Sequence, residues 1–97
     1  MDSELVIVAH IEANADQLDL VKSELQKLIP PTLEEEGCLQ YDLHQDHENP
    51  LRFLFFERWQ NRDLWQDHMN SPHIAALQAA TEGAIANVEV QEMGRVS

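Results

Sequence analysis

Between residues 38 and 59 the chain alternates twice, and this double alternation constrains the fold more than any other feature. Residues 38–46 (CLQYDLHQD) put Leu39, Tyr41 and Leu43 on one side and Gln40, Asp42 and His44 on the other. Residues 52–59 (RFLFFERW) set Phe53, Phe55, Glu57 and Trp59 against Leu54, Phe56 and Arg58. Successive side chains of a strand point to opposite faces, so each run reads as a strand. The intervening His47-Glu48-Asn49-Pro50 has turn chemistry. So short a connection implies an antiparallel hairpin.

What flanks the hairpin decides the architecture. Residues 4–12 (ELVIVAHIE) are rich in β-branched residues and read as a strand, with Leu5, Ile7, Ala9 and Ile11 on one face and Val6, Val8 and His10 on the other. Both faces are largely apolar, which predicts cover on both sides. Asn14 with Gln17 has the spacing of a reciprocal helix cap. Leu18, Val21, Leu25, Leu28 and Ile29 then recur at helical spacing. Pro30-Pro31 must break or kink that helix, and Thr32 with Glu35 suits the cap of a short second piece ending at Gly37. After the hairpin, Asn61 caps a helix carrying Leu64, Trp65 and His68, which Asn70-Ser71-Pro72 interrupts. Ser71 as cap with Pro72 at the first helical position starts another helix, running through Ile74 and Leu77 to about Gly83. Residues 86–93 (ANVEVQEM) close as a strand.

The order β-α-β-β-α-β is the ferredoxin-like pattern of the α+β class: a four-stranded antiparallel sheet with its helices on one face. The other face also needs cover, since Trp59, Phe53 or Phe55 and the first-strand apolar residues would otherwise form a large wet patch. Two copies packed sheet against sheet would supply it, so a homodimer is expected.

Length and charge narrow the function. The 97 residues fit one domain, 1–97, and 43% of them are hydrophobic, enough for a core. Eighteen acidic residues against six Lys and Arg give a net charge of -12. Such a chain repels phosphate backbones and anionic lipid, so neither nucleic acid nor membrane is an expected partner. Met1-Asp2-Ser3-Glu4 is acidic and does not read as a secretory leader, and the single cysteine, Cys38, excludes an internal disulfide. A cytoplasmic location is the expectation. Cys38 reads as a small buried residue rather than a nucleophile. With three glycines, the chain holds no phosphate-cradling loop or dinucleotide fingerprint.

Three stretches resemble the antibiotic biosynthesis monooxygenase family: Glu36-Gly37-Cys38-Leu39-Gln40-Tyr41, then Phe56-Glu57-Arg58-Trp59, then His68-Met69-Asn70-Ser71-Pro72-His73. The resemblance runs from Leu5 to about Met93. It implies a dimeric α+β barrel with a pocket in each subunit between sheet and helices. It also implies oxidation of quinols, anthrones or related polycyclic phenols by O2 with no metal or flavin. Haem-degrading relatives carry an iron-ligating histidine on the helix after the interruption. The matching region near Leu77-Gln78 has none, which argues against haem.

Cofactor-free oxygenation needs a base, a dry pocket and donors that fix the substrate oxygens. His68 is the leading base, because it follows Leu64 by one helical turn and can share the inward face. His73 is the second histidine at that break and Glu57 the carboxylate on the aromatic strand; these three are the candidate catalytic residues. Trp59 offers a flat wall, Phe55 shares its face, Tyr41 can donate to a substrate oxygen and His10 can face the pocket; these are the candidate substrate-binding residues. Each has a plainer structural reading, as core, as a backbone-bonded histidine, or at a dimer seam. No metal site is expected: His44, Asp46 and His47 lie close in sequence but do not form a compact ligand set. The expected partners are an aromatic small molecule and O2. The alternatives are a binding module without chemistry and an isomerase or decarboxylase of a small metabolite.

Overall fold

A computed structural model of the chain describes residues 4–97; the acidic start read at Met1-Asp2-Ser3 lies outside the described residues. The strands are β1 (Leu5–Ala13), β2 (Cys38–Gln45), β3 (Arg52–Trp59) and β4 (Ile85–Met93). The helices are α1 (Leu18–Lys27), α2 (Ile29–Leu33), α3 (Arg62–Met69) and α4 (Pro72–Ala80). The sheet order is β2-β3-β1-β4 with every pair antiparallel. This is the ferredoxin-like α+β arrangement that the element order predicts.

All helices contribute to one side of the sheet. Ile7, Ala9 and Ile11 of β1 and Phe53, Phe55 and Trp59 of β3 are buried there against Val21, Leu25 and Leu28 of the first helical layer and Trp65 and Ile74 of the second. Trp59, Phe53 and Phe55 therefore belong to the covered face, not to the face in need of a partner. The open face consists of the alternate residues. Registers Val8↔Phe56 and His10↔Leu54 place Val6, Val8, Leu54 and Phe56 together down the two central strands. All four are only half-buried.

The helix signals fare unevenly. Asn61 and Ser71 cap α3 and α4 as read, accepting from the backbone N–H of Leu64 at 2.9 Å and of Ile74 at 3.4 Å. Asn14 does not cap its helix; its Nδ2 donates to the Gly83 carbonyl at 2.9 Å, tying the end of β1 to the loop before β4. Pro30-Pro31 separate α1 from α2, because prolines are tolerated in a first turn and not in a helix interior. Thr32 consequently lies inside α2 rather than capping it, and its backbone N–H reaches the Leu28 carbonyl.

One strand departs from alternation. Cys38 pairs with Trp59, but Gln40 pairs with the next residue, Arg58, so Leu39 is an extra residue in a β-bulge. Leu39 is turned out to 49% exposure, whereas Tyr41 is buried. Just before the bulge, Gly37 holds φ +85°, and a Cβ there would lie 2.8 Å from Leu64 Cβ. Only glycine lets the chain pass this close to α3 in a left-handed conformation.

Candidate active site

The turn Glu34–Gly37 between α2 and β2 passes beside the break between α3 and α4. There the Glu35 carboxylate gathers both histidines of the break. His68 Nδ1 lies 2.6 Å from Glu35 Oε2 and His73 Nε2 lies 3.0 Å from the same oxygen. The interruption Asn70-Ser71-Pro72 makes this possible. Ser71 N–H returns to the His68 carbonyl at 3.0 Å, which reverses the chain and leaves the two rings 5.8 Å apart.

A carboxylate oxygen only accepts, so the proton of the neutral His68 ring sits on Nδ1. Nε2 is then an unprotonated nitrogen, with no hydrogen bond among the described residues. His68 is 1% exposed and lines a cavity of about 160 Å³ between the sheet and α3/α4. Burial lowers its pKa, opposed by the hydrogen bond and charge of Glu35. A buried imidazole with one nitrogen anchored and the other free is arranged to accept a proton.

Glu57 lies in the same wall, 4% exposed. Trp59 Nε1 donates to its Oε1 at 2.9 Å. Burial pushes the carboxyl up to about 7, the tryptophan bond pulling the other way and the charge of Glu35 adding to the rise. Glu57 is thus poised between donor and acceptor near neutral pH. Tyr41 stacks on Phe55 at 4.7 Å and meets the His68 ring edge-on at 5.5 Å. Burial raises the Tyr41 phenol, which keeps it protonated and able to donate. Cys38 is pushed up to about 11 by burial and by the nearby Glu35 and Glu57, so its thiol stays protonated.

The structure therefore brings His68, Glu57, Tyr41 and Phe55 together around one cavity. His73 stands behind, touching Glu35 rather than the cavity. Trp59 is fully buried and offers no open face to a ligand. It packs under the His68 ring at 4.8 Å and holds Glu57, which makes it a positioning residue instead of a wall. His10 is corrected outright: period-two alternation from the buried Ala9 and Ile11 turns it to the open face, where it is exposed. Sequence reading missed Glu35, which the capping pattern had assigned to Thr32. It also missed Trp65, Met69, Leu77 and Val90 as lining. The triple Glu34-Glu35-Glu36 beside Gly37 was the available signal, but it does not say which carboxylate turns inward.

Known proteins give the same fold. Residues 5–80 match the family described as antibiotic biosynthesis monooxygenase. The crystal structure of PA3566 from Pseudomonas aeruginosa superposes with a TM-score of 0.95 at 31% identity, covering 100% of this chain and 98% of that one. Rv0793 from Mycobacterium tuberculosis superposes at 0.90 with 25% identity, covering 98% and 97%. In sequence, the uncharacterized protein sll1783 of Synechocystis is 31% identical over 74% of this chain, and the match spans only 49% of that protein's length. The Escherichia coli protein named "Probable quinol monooxygenase YgiN" is 24% identical over 90% of this chain and 93% of its own. No helix among the described residues is long and apolar enough to cross a membrane. By the extent of the family match, the chain belongs to the antibiotic biosynthesis monooxygenase family.

Proposed function

We propose that the protein is a monooxygenase that uses O2 to oxidise a quinol-like or polycyclic phenolic small molecule, without a flavin or metal taking part in the chemistry. The observation that carries this reading is the Glu35–His68 pair at the wall of an apolar cavity. The substrate hydroxyl gives its proton to His68 Nε2, and Glu35 stabilises the imidazolium through Nδ1–H. The resulting phenolate is electron-rich and reduces O2 directly. For a quinol, one oxygen atom enters a ring C–H position and the other leaves as water, giving a hydroxyquinone. All four electrons come from the substrate, so the step balances without an added reductant. Glu57 in its protonated form and the Tyr41 hydroxyl are the donors that hold the substrate oxygens. The apolar walls exclude water from the anion. Residues Val6, Val8, Leu54 and Phe56 support a homodimer joined through the open sheet face.

Oxygen uptake with a panel of hydroquinones, naphthoquinols and anthrones tests the reading. Wild-type protein should consume O2 with at least one of them. His68→Ala should lose about 10²–10⁴ in turnover, mainly in kcat, because proton removal belongs to the transition state. His68→Gln keeps a donor for Glu35 and much of the ring's volume, so its loss separates basicity from packing. Saturable binding without O2 uptake would instead establish a binding module. Full turnover in both variants would remove His68 from the mechanism.

A further inference from the structure

We infer that Glu35, His68 and His73 form a site for one divalent transition-metal ion of the zinc type. The inference stands on the geometry of these three side chains and does not rest on the oxidation chemistry. Each residue offers one ligand atom, and the three atoms lie within 4.8 Å of one another. Two imidazole nitrogens and one carboxylate oxygen are a ligand set that zinc and its neighbours accept. They come from the turn before β2 and from both sides of the α3/α4 break, so the fold assembles them rather than a single flexible loop.

The distances leave a defined adjustment. Tetrahedral coordination at about 2.0–2.1 Å places ligand atoms roughly 3.3 Å apart. The Glu35 oxygen now sits 2.6 Å and 3.0 Å from the two nitrogens and must withdraw by several tenths of an ångström, while the two nitrogens, within 4.8 Å of each other, draw together. Glu35 and His73 can make this move because their side chains are 19% and 21% exposed, whereas the His68 ring is fixed against Trp59. The exposed side also gives an entrance for the ion and room for a water as fourth ligand. Glu34 and Glu36 flank Glu35, and the chain carries a net charge of -12, both of which favour cations at this end of the molecule.

Occupancy has a chemical consequence. An ion on Nδ1 of His68 moves that ring's proton to Nε2. A loaded site would therefore present an N–H donor to a bound molecule in place of a base. Zinc is then an inhibitor of any reaction in which His68 takes a proton.

The test uses the full-length chain without a histidine tag, stripped with chelator and titrated with Zn2+ by calorimetry. One ion per chain should bind. Glu35→Gln and His73→Gln should each weaken binding by about tenfold or more, as loss of one ligand in three requires. His10→Gln and His44→Gln, on the open sheet face, should leave it unchanged. Co2+ should give the visible bands of a four-coordinate site, absent in His73→Gln. Wild-type affinity in both ligand variants, an equal loss in His10→Gln, or no stoichiometric binding would each overturn the site. These binding readouts decide the question even if no quinol is oxidised.

Discussion

The two faces of the sheet are built from neighbouring residues and have opposite consequences. On the helix side, Phe55, Glu57 and Trp59 of β3 stand beside Ile7, Ala9 and Ile11 of β1, and all are buried. There an ionisable group is stripped of water, and its chemistry is set by the few partners left to it. Glu57 is raised by burial and His68 lowered by it, each towards its neutral form. On the open face, His10 and His44 flank Leu54 in register and are exposed. The same residue type is thus a candidate base on one side and a surface group on the other. The difference lies in a period of two along the strand, and it shows why histidine content alone could not locate the site.

The largest expected effect separates the faces with adjacent residues. Phe55→Ala removes a ring from the buried face and from its stack on Tyr41, and should cost about 3–5 kcal/mol of unfolding free energy. Phe56→Ala removes a half-buried ring from the open face. It should cost clearly less in folding of the single chain and should weaken self-association instead. Urea unfolding at low concentration and sedimentation at micromolar concentration read the two quantities. Equal folding costs, with self-association unchanged, would erase the distinction and count against a sheet-to-sheet dimer.

A pH-dependent effect follows on the buried face. The Glu57 carboxyl titrates at about 7 in the folded protein, above its ordinary 4.5. The folded state therefore holds a proton that the unfolded chain has lost between these values. Stability from this group is fully present below pH 4.5 and falls as pH rises through 7. Glu57→Gln keeps an oxygen for the Trp59 indole N–H and cannot ionise. Its stability relative to wild type should be near zero at pH 4.5 and reach up to about 3 kcal/mol in its favour at pH 8. Urea midpoints across that range check it. A difference that does not vary with pH would show that Glu57 is not held neutral by burial.

Much of this was legible because periodicity carries it. The alternation of 52–59 placed Phe55, Glu57 and Trp59 on one face, and the Ser71-Pro72 signal located the break that brings His68 and His73 together. What periodicity does not carry is which face receives the helices. Both faces of β1 are apolar, so Trp59, Phe53 and Phe55 could be assigned to either, and His10 with them. Glu35 lay hidden for a different reason. Its partners are 33 and 38 residues away, and a turn carboxylate has no periodicity from which an inward direction can be read.

The smallest expected effect lies where alternation itself fails. Strict alternation of 38–46 puts Leu39 with Tyr41 in the core, and on that reading Leu39→Ser would cost a few kcal/mol, as other deletions of buried aliphatic side chains do. The bulge instead turns Leu39 to the surface, where substitutions usually change stability by less than about 0.5 kcal/mol. Leu39→Ser should therefore be nearly silent in urea unfolding, while Tyr41→Ser, two positions on, is not. The pairing of Cys38 with Trp59 explains why the chain accepts the extra residue. With Leu39 left out of the register, Cys38 meets Trp59 and Tyr41 still falls opposite Glu57, so both β2 positions stay on the cavity side of the sheet. A core-sized cost for Leu39→Ser would mean that the bulge is absent and that Leu39, not Cys38, sits opposite Trp59.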